Sequence, residues 1–241
     1  QLVIGLGTGR CGTQSLAHLL TQQTAALVYH EKAHYGIGWH GSEKKIDELL
    51  AWASTQTHLQ MVGDVAFYYL PYIEYILARN PTVKFICLQR NCADTVASYL
   101  QKTKPWNHWI VHEGGAWQPS EWDDCYPKYS VPDKQSALAM FWYEYYFTAT
   151  RLQALHPKHF RLFPMAALNS KAGQLSLLAF LGLPEAQMQL AIGIHANAGR
   201  NITYWYAQWE KLPRSIRQPV RAFYRWLKPR STTARLNEDK E

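Results

Sequence analysis

The sequence has few cysteines and no long apolar run. Its four cysteines include no C-x-x-C pair, so we expect reduced thiols in a reducing compartment rather than disulfides or a zinc finger. No stretch of about eighteen consecutive apolar residues is present, and the sequence therefore predicts no membrane span. These absences favour a cytoplasmic protein, although a targeting segment or anchor upstream of Gln1 stays an open alternative.

Repeats, low-complexity tracts and motifs for binding nucleic acid are also absent. With no helix-turn-helix pattern, the net charge of +7 favours small anionic ligands over nucleic acid. Of the 241 residues, 47% are hydrophobic and only 18% are charged. This balance predicts a folded chain that buries a substantial core, and we expect residues 1–241 to form a single domain.

Short apolar runs alternate with amphipathic runs along the chain. The predicted strands cover residues 2–6, 25–29, 61–65, 83–88 and 160–163, and the predicted helices include 13–24, 42–54, 68–79, 136–155 and 172–181. Strands that alternate with helices are typical of a parallel sheet with helices on its faces. The sequence therefore predicts an α/β fold of three layers, α/β/α, with a central parallel sheet.

A glycine-rich turn joins the first predicted strand to the first predicted helix. Gly7, Gly9 and Gly12 allow an anion to approach the backbone, and the N–H groups that begin the helix at Thr13 point toward the same place. The sequence therefore predicts that a phosphate or sulfate ester binds at this turn.

Three kinds of phosphate ligand are compatible with the glycines. The segment 7–12 satisfies G-x-G-x-x-G, the dinucleotide fingerprint, and Glu31 follows where an acid that binds ribose would lie. A Walker A loop would need Lys followed by Ser or Thr after Gly12, so an ordinary ATPase or GTPase is disfavoured. Arg10, Thr13 and Ser15 instead suit a compact, highly charged 5′-terminal group.

A second candidate phosphate site follows the predicted strand at 83–88. Arg90 lies directly after this strand, at the edge of a parallel sheet where ligands bind, and Ser98 lies about two turns along the next helix. The guanidinium group supplies a fork of donors that suits a phosphate, and the serine adds a hydroxyl.

Together, these two segments resemble the motifs of sulfotransferases that use 3′-phosphoadenosine 5′-phosphosulfate (PAPS). The segment Gly9-Arg-Cys-Gly-Thr-Gln-Ser-Leu16 is similar to their 5′-phosphosulfate loop, and the spacing of Arg90 and Ser98 is similar to their 3′-phosphate motif. The Phe-Leu-Gly-Leu-Pro sequence at 180–184 also resembles this family.

The resemblance implies a P-loop-containing nucleotide hydrolase-like fold. It implies transfer of a sulfuryl group from PAPS to a hydroxyl or amine of a carbohydrate or small-molecule acceptor, with 3′-phosphoadenosine 5′-phosphate (PAP) as the product and without a metal. By the same resemblance, the residues that bind PAPS are Gly9, Arg10, Cys11, Gly12, Thr13, Gln14, Ser15, Arg90, Ser98 and Arg200. A kinase-like or dinucleotide-binding enzyme and a non-catalytic module that binds a phosphonucleotide are the alternatives.

The general base has three candidates. In several bacterial and carbohydrate sulfotransferases, a glutamate soon after the second strand is the proposed base, and this resemblance favours Glu31 over His30 and Asp64. We expect the second strand to neighbour the first, so that Glu31 lies close to Arg10 in the glycine-rich turn. Arg10 would also stabilise the charge on the leaving phosphate. Because neighbours in an extended chain point in opposite directions, we expect only one of His30 and Glu31 to face the substrate.

Two further segments stand apart from the alternating strands and helices. Residues 102–132 are rich in aromatic side chains without a clear period, and we expect them to form a loop or lid on the acceptor side, with packing onto the domain as the alternative for each tryptophan. Residues 203–241 read as a basic helical extension. The oligomeric state stays open.

Overall fold

The fold is a five-stranded parallel sheet with helices on both faces. A computed structural model describes residues 1–32, 36–104, 106–111 and 122–193. The strands are β1 (Leu2–Leu6), β2 (Ala26–His30), β3 (Met61–Val65), β4 (Lys84–Gln89) and β5 (Phe160–Pro164). Every pair of neighbouring strands is parallel, which confirms the sheet that the alternating pattern predicts.

Six α-helices connect or follow the strands in the described residues. They are α1 (Thr13–Thr21), α2 (Glu43–Thr55), α3 (Ile73–Arg79), α4 (Cys92–Lys102), α5 (Lys134–Leu155) and α6 (Lys171–Phe180). Short 3-10 helices cover Phe67–Tyr72, Asp123–Cys125, Met165–Asn169 and Glu185–Gln187. Within the described part of the chain, no helix is both long and apolar enough to cross a membrane.

The core lies on both faces of the sheet. Alternate residues of β1 point to opposite faces, so that Ile4 and Leu6 contribute to one hydrophobic cluster and Val3 to the other. Helices α2, α3, α4 and α5 pack in the first cluster, and α1 and α6 pack in the second. The three predicted layers are therefore confirmed.

The order of the strands corrects one expectation. The strands lie in the order β2-β3-β1-β4-β5, so β3 separates β2 from β1. Burial explains this arrangement, because all five residues of β3 are buried whereas β2 has an exposed and three half-buried residues. A strand that is buried on both faces belongs inside the sheet, and the more exposed strand forms its edge.

Two helices in the structure have bounds that differ from the predicted ones. The helix predicted over 68–79 is a 3-10 helix that contains Pro71, followed by α3, because proline cannot donate the backbone hydrogen bond that an α-helix interior requires. Helix α1 ends at Thr21 rather than at residue 24, and Ala25 then takes a left-handed conformation with φ 51° to enter β2.

Candidate functional site

The glycine turn after β1 forms a tight loop, residues 7–12, which we call the glycine loop. Gly9 and Gly12 have φ values of 82° and 92°, a region that side chains disfavour. Arg10 takes φ 56° between them although it is not glycine. A Cβ atom on Gly9 would lie 2.2 Å from the phenol oxygen of Tyr99. The glycines are therefore required both by the backbone conformation and by close packing.

Buried tyrosine side chains form hydrogen bonds with the backbone of the glycine loop. The hydroxyl of Tyr145 accepts a hydrogen bond from the N–H of Gly7 at 3.0 Å and donates to the carbonyl of Phe67 at 3.1 Å. The hydroxyl of Tyr99 donates to the carbonyl of Thr8. Both phenols are buried, so these hydrogen bonds form away from water and fix the loop against α4 and α5.

A third tyrosine joins the loop to the neighbouring strand. The hydroxyl of Tyr146 donates to the carbonyl of Leu88 in β4 at 2.8 Å and lies 3.3 Å from the hydroxyl of Thr8. Sequence reasoning missed this role, since nothing in an aromatic-rich helix indicates which hydroxyl groups reach a loop near the other end of the chain.

The beginning of α1 presents donors to the outside of the loop. The first hydrogen bond along the helix runs from the N–H of Leu16 to the carbonyl of Gly12 at 2.9 Å. Within the described residues, the N–H groups of Thr13, Gln14 and Ser15 therefore have no acceptor, as expected in the first turn of a helix. An anion placed at this turn would meet these donors and the positive end of the helix dipole.

The two predicted phosphate motifs lie together in the structure. The Nε of Arg10 donates to the hydroxyl of Ser98 at 3.1 Å, and Nη1 of Arg90 donates to the carbonyl of Arg10 at 3.0 Å. The indole N–H of Trp142 holds the carbonyl of Arg90 at 2.8 Å. The guanidinium of Arg10 therefore lies beside Ser98.

One buried donor of the Arg90 side chain is unsatisfied within the described part of the chain. Its Nε has no hydrogen-bond partner among the described residues, and the carboxylate of Asp94 lies 3.8 Å away, beyond hydrogen-bonding distance. Buried donors in native proteins are nearly always satisfied. An anion bound beside Arg90 would supply the missing acceptor.

Cys11 has a structural role within the loop. Its thiol is fully buried, and burial raises the pKa of this thiol to about 11, so it stays protonated at neutral pH. A Cβ atom on Gly7 would lie 2.4 Å from this sulfur. The side chain therefore packs beneath the loop, and only the backbone of Cys11 is available to a ligand.

His30 and Glu31 lie together at the end of β2. The ring Nε2 of His30 is 3.0 Å from the hydroxyl of Thr13 in α1, and its Nδ1 is 3.6 Å from a carboxylate oxygen of Glu31. Glu31 has φ 55°, so the chain is not extended there and the two side chains turn toward each other. The expectation that they point in opposite directions is therefore wrong. Burial lowers the pKa of His30, which keeps its ring neutral at pH 7.

Asp64 is enclosed at the end of β3. Its carboxylate accepts hydrogen bonds from the hydroxyl of Tyr69 at 2.6 Å, the N–H of Val65 at 2.9 Å and the N–H of Lys32 at 3.1 Å. Its side chain has no exposed surface, and burial raises the pKa of this carboxyl group. These contacts tie the chain after β2 to β3, so Asp64 is a structural carboxylate of this edge.

The tryptophans of the predicted lid differ in how far their side chains are exposed. Trp109 is fully buried and packs against Tyr99 and Tyr126, with ring centroids 5.0 and 4.6 Å apart. Trp106 is 45% exposed. Residues 112–121, Arg200 and the predicted extension at 203–241 lie outside the described residues.

Comparisons with known proteins do not assign the chain to a family. No protein-family model matches the chain, and no curated protein matches it. The geometry of the glycine loop, the two arginines and the end of β2 therefore carries the functional argument.

Proposed function

We propose that this protein is a sulfotransferase that uses PAPS and releases PAP. The observation that carries the proposal is the contact of Arg10 with Ser98 and of Arg90 with the carbonyl of Arg10. These hydrogen bonds join a helix-start anion site to a second, cationic site at the end of the neighbouring strand. A nucleotide with one 5′-terminal group and a separate 3′-phosphate suits two anion sites on adjacent strands.

The glycine loop is the proposed site for the phosphosulfate. The N–H groups of Thr13, Gln14 and Ser15 would neutralise charge on the phosphate that leaves. Arg90, with its buried Nε, and Ser98 would bind the 3′-phosphate. Arg10 lies between the two sites, so it would contribute positive charge to both.

The end of β2 is the proposed site of proton transfer. An acceptor hydroxyl or amine attacks the sulfur, the bond from sulfur to the phosphate oxygen breaks, and the acceptor proton passes to a base. His30 Nε2 contacts the hydroxyl of Thr13. We therefore assign the base to the partly exposed carboxylate of Glu31 and give His30 the role of positioning it.

The order of the strands gives no support to the dinucleotide alternative. In the dinucleotide-binding fold, the strand that precedes the ribose-binding acid lies next to the first strand. Here β3 lies between β1 and β2, and Glu31 follows β2. A non-catalytic module stays the second candidate, because the same loop and arginines could bind PAP without transferring a sulfuryl group.

Replacement of Arg90 tests the nucleotide assignment. We expect Arg90→Ala to weaken PAP binding by about ten- to a hundredfold, the loss typical of hydrogen bonds to a charged group, while adenosine 5′-phosphate binds nearly as before. Arg161→Ala, which removes the same charge from an exposed position on β5, is the control. Isothermal titration with both nucleotides measures the difference, and equal weakening of both would contradict the assignment.

Turnover separates an enzyme from a binding module. PAP and PAPS should raise the melting temperature of the protein, whereas NAD and ATP with magnesium should not. Conversion of radiolabelled PAPS to PAP in the presence of acceptor extracts would identify both the activity and the acceptor class. Stabilisation by PAP without any transfer would favour the non-catalytic module.

A further inference from the structure

Helix α5 is apolar on both of its faces, although the described residues cover only one. Phe141, Tyr145 and Leu152 are buried in the core. On the other side, Met140, Tyr143, Phe147 and Leu155 are 40%, 63%, 75% and 60% exposed, and they are four of the eight large exposed hydrophobic residues in the described chain. A helix that is apolar all round normally has a partner on each side.

Three of these four exposed residues lie on one continuous stripe of the helix surface. At 3.6 residues per turn, residues 140, 143, 147, 150, 151 and 154 lie within an arc of roughly 100°; we call them the α5 stripe. Five of the six, all but Met140, also line an open groove of about 530 Å³ beside the end of β4. The groove is largely apolar, with Arg151 among its lining residues.

Two opposite charges lie on one flank of this stripe. Glu144 and Arg151 are both exposed and are separated by about two helical turns, too far apart to pair directly within one helix. Glu144 accepts a hydrogen bond from the hydroxyl of Tyr129 at 2.7 Å. Among the described residues, no acidic side chain forms an ion pair with Arg151.

We propose that the α5 stripe is the interface of a homodimer in which two α5 helices pack antiparallel around a two-fold axis between Phe147 and Thr148. Such an axis makes residues at equal distances on either side of this point face each other. Glu144 then lies opposite Arg151 of the partner subunit, and the reverse pair forms at the other end. Met140 lies opposite the partner's Leu155, so that two exposed apolar side chains meet.

The charges favour this arrangement over the other symmetric one. If the two helices were parallel, the two-fold axis would place like charges together, with Arg151 facing the partner's Arg151. The antiparallel arrangement instead satisfies both charges and brings the most exposed aromatic residue to the centre, where interface energy concentrates. This inference does not depend on the proposed sulfotransferase activity.

Sedimentation equilibrium with and without a charge at the centre tests the interface. We expect a dimer for the wild-type protein, and dimerisation weakened on the order of a hundredfold or more by Phe147→Glu, which places two like charges at the axis. Because Phe147 is 75% exposed, its replacement should leave the melting temperature of the dilute monomer unchanged. Val111→Glu, another exposed apolar residue made acidic but outside α5, should still dimerise.

A charge exchange tests the antiparallel register. Glu144→Arg and Arg151→Glu each replace two attractive pairs by two repulsive ones and should each weaken dimerisation by about tenfold. The double variant restores both pairs in reverse and should recover most of the affinity. The hydrogen bond from Tyr129 to Glu144 is lost both in Glu144→Arg and in the double variant, so recovery of the double variant relative to Glu144→Arg isolates the pairing between subunits.

Several outcomes would overturn the proposal. A wild-type protein that stays monomeric at high micromolar concentration would do so, as would a dimer that Phe147→Glu leaves intact. A double charge variant no better than the two single variants would exclude the antiparallel register. A monomer that sediments with anionic lipid vesicles only when Phe147 is present would assign the stripe to a membrane surface instead.

Discussion

The glycine loop and the end of β2 lie at the same edge of the sheet, but different contacts define them. The loop is fixed by backbone conformation and by the hydroxyls of Tyr99, Tyr145 and Tyr146. The end of β2 is fixed by the carboxylate of Asp64, which accepts from the backbone of Lys32. The first region presents donors to a ligand, and the second presents a histidine and a carboxylate.

This difference decides how far each region can be understood from its motif. A glycine pattern specifies backbone angles directly, so the conformation of the loop follows from the residues of the loop itself. The role of a carboxylate depends on which donors reach it, and those donors come from other segments. Asp64 lies at the end of β3 and Glu31 directly follows the neighbouring strand β2, yet the first is enclosed and the second is partly exposed.

The largest expected effect concerns the carboxylate of Glu31. We expect Glu31→Gln to lower turnover by about a hundred- to ten-thousandfold, since removal of a general base costs about this much, while PAP affinity stays near normal. Steady-state rates with PAPS and the identified acceptor, together with PAP titration, measure both effects.

Asp64 and His30 provide the controls for this prediction. Asp64→Asn should reduce stability by about 1–3 kcal/mol, because its buried donors lose a carboxylate, and should leave the rate per folded molecule close to that of the wild type. A rate lost in Asp64→Asn but kept in Glu31→Gln would reverse the two roles. If both variants stay active, loss of the rate in His30→Ala would assign the base to His30.

The second prediction concerns the contact between the glycine loop and Tyr99. We expect Gly9→Ala to destabilise the protein by about 3 kcal/mol, because the left-handed conformation disfavours a Cβ atom and the phenol oxygen would lie 2.2 Å from it. Gly41→Ala should cost only about 1 kcal/mol, since Gly41 has φ 69° but no atom within 4 Å of the added carbon.

Removal of the phenol oxygen isolates the steric part of this effect. Tyr99→Phe alone should cost about 1 kcal/mol for its lost hydrogen bond, and the double variant should be more stable than the sum of the two single changes predicts. Urea unfolding of the four proteins measures the coupling. Strict additivity would mean that Tyr99 does not constrain Gly9.

The smallest expected effect is a change in the pH dependence of stability. Burial lowers the pKa of His30 below its usual value of 6.5. The folded protein therefore binds fewer protons than the unfolded chain, and this contribution to stability is complete above pH 6.5 and decreases as the pH falls through the lowered pKa.

Replacement of His30 should make this dependence less steep. We expect His30→Gln to flatten the loss of stability between neutral and mildly acidic pH, measured by urea unfolding at a series of pH values. His108, whose pKa burial also lowers, keeps its share of the slope in both proteins. An unchanged slope would mean that His30 does not titrate differently in the folded and unfolded states.

The fold was more predictable from the sequence than the site. All five strands match within a residue at each end because buried parallel strands are short apolar runs between turn residues. The order of the strands was not predictable, since no local pattern states that β3 would separate β1 from β2. The conformation of Glu31 was equally hidden, because its left-handed φ arises where the chain leaves β2 and contacts β3.

Within the candidate site, the local motifs could be predicted from the sequence, whereas the contacts between distant segments could not. The spacing of Arg90 and Ser98 predicts that both belong to one site, and in the structure Arg10 contacts each of them. The enclosure of Asp64 by Tyr69 and Lys32 depends on the packing of separate segments. Tyr146, whose hydroxyl supports the glycine loop, lies 138 positions from Thr8 in the chain.

The hydrogen bond between Gly7 and Tyr145 has a consequence for the order in which the molecule assembles. These two residues are 138 positions apart in the chain, and contacts of such sequence separation form late in folding because closing a long loop is entropically unfavourable. A ribosome that has released only β1 to β4 has already exposed the entire glycine motif. The hydrogen bond from Gly7 to Tyr145 can nevertheless form only after α5 has been synthesised.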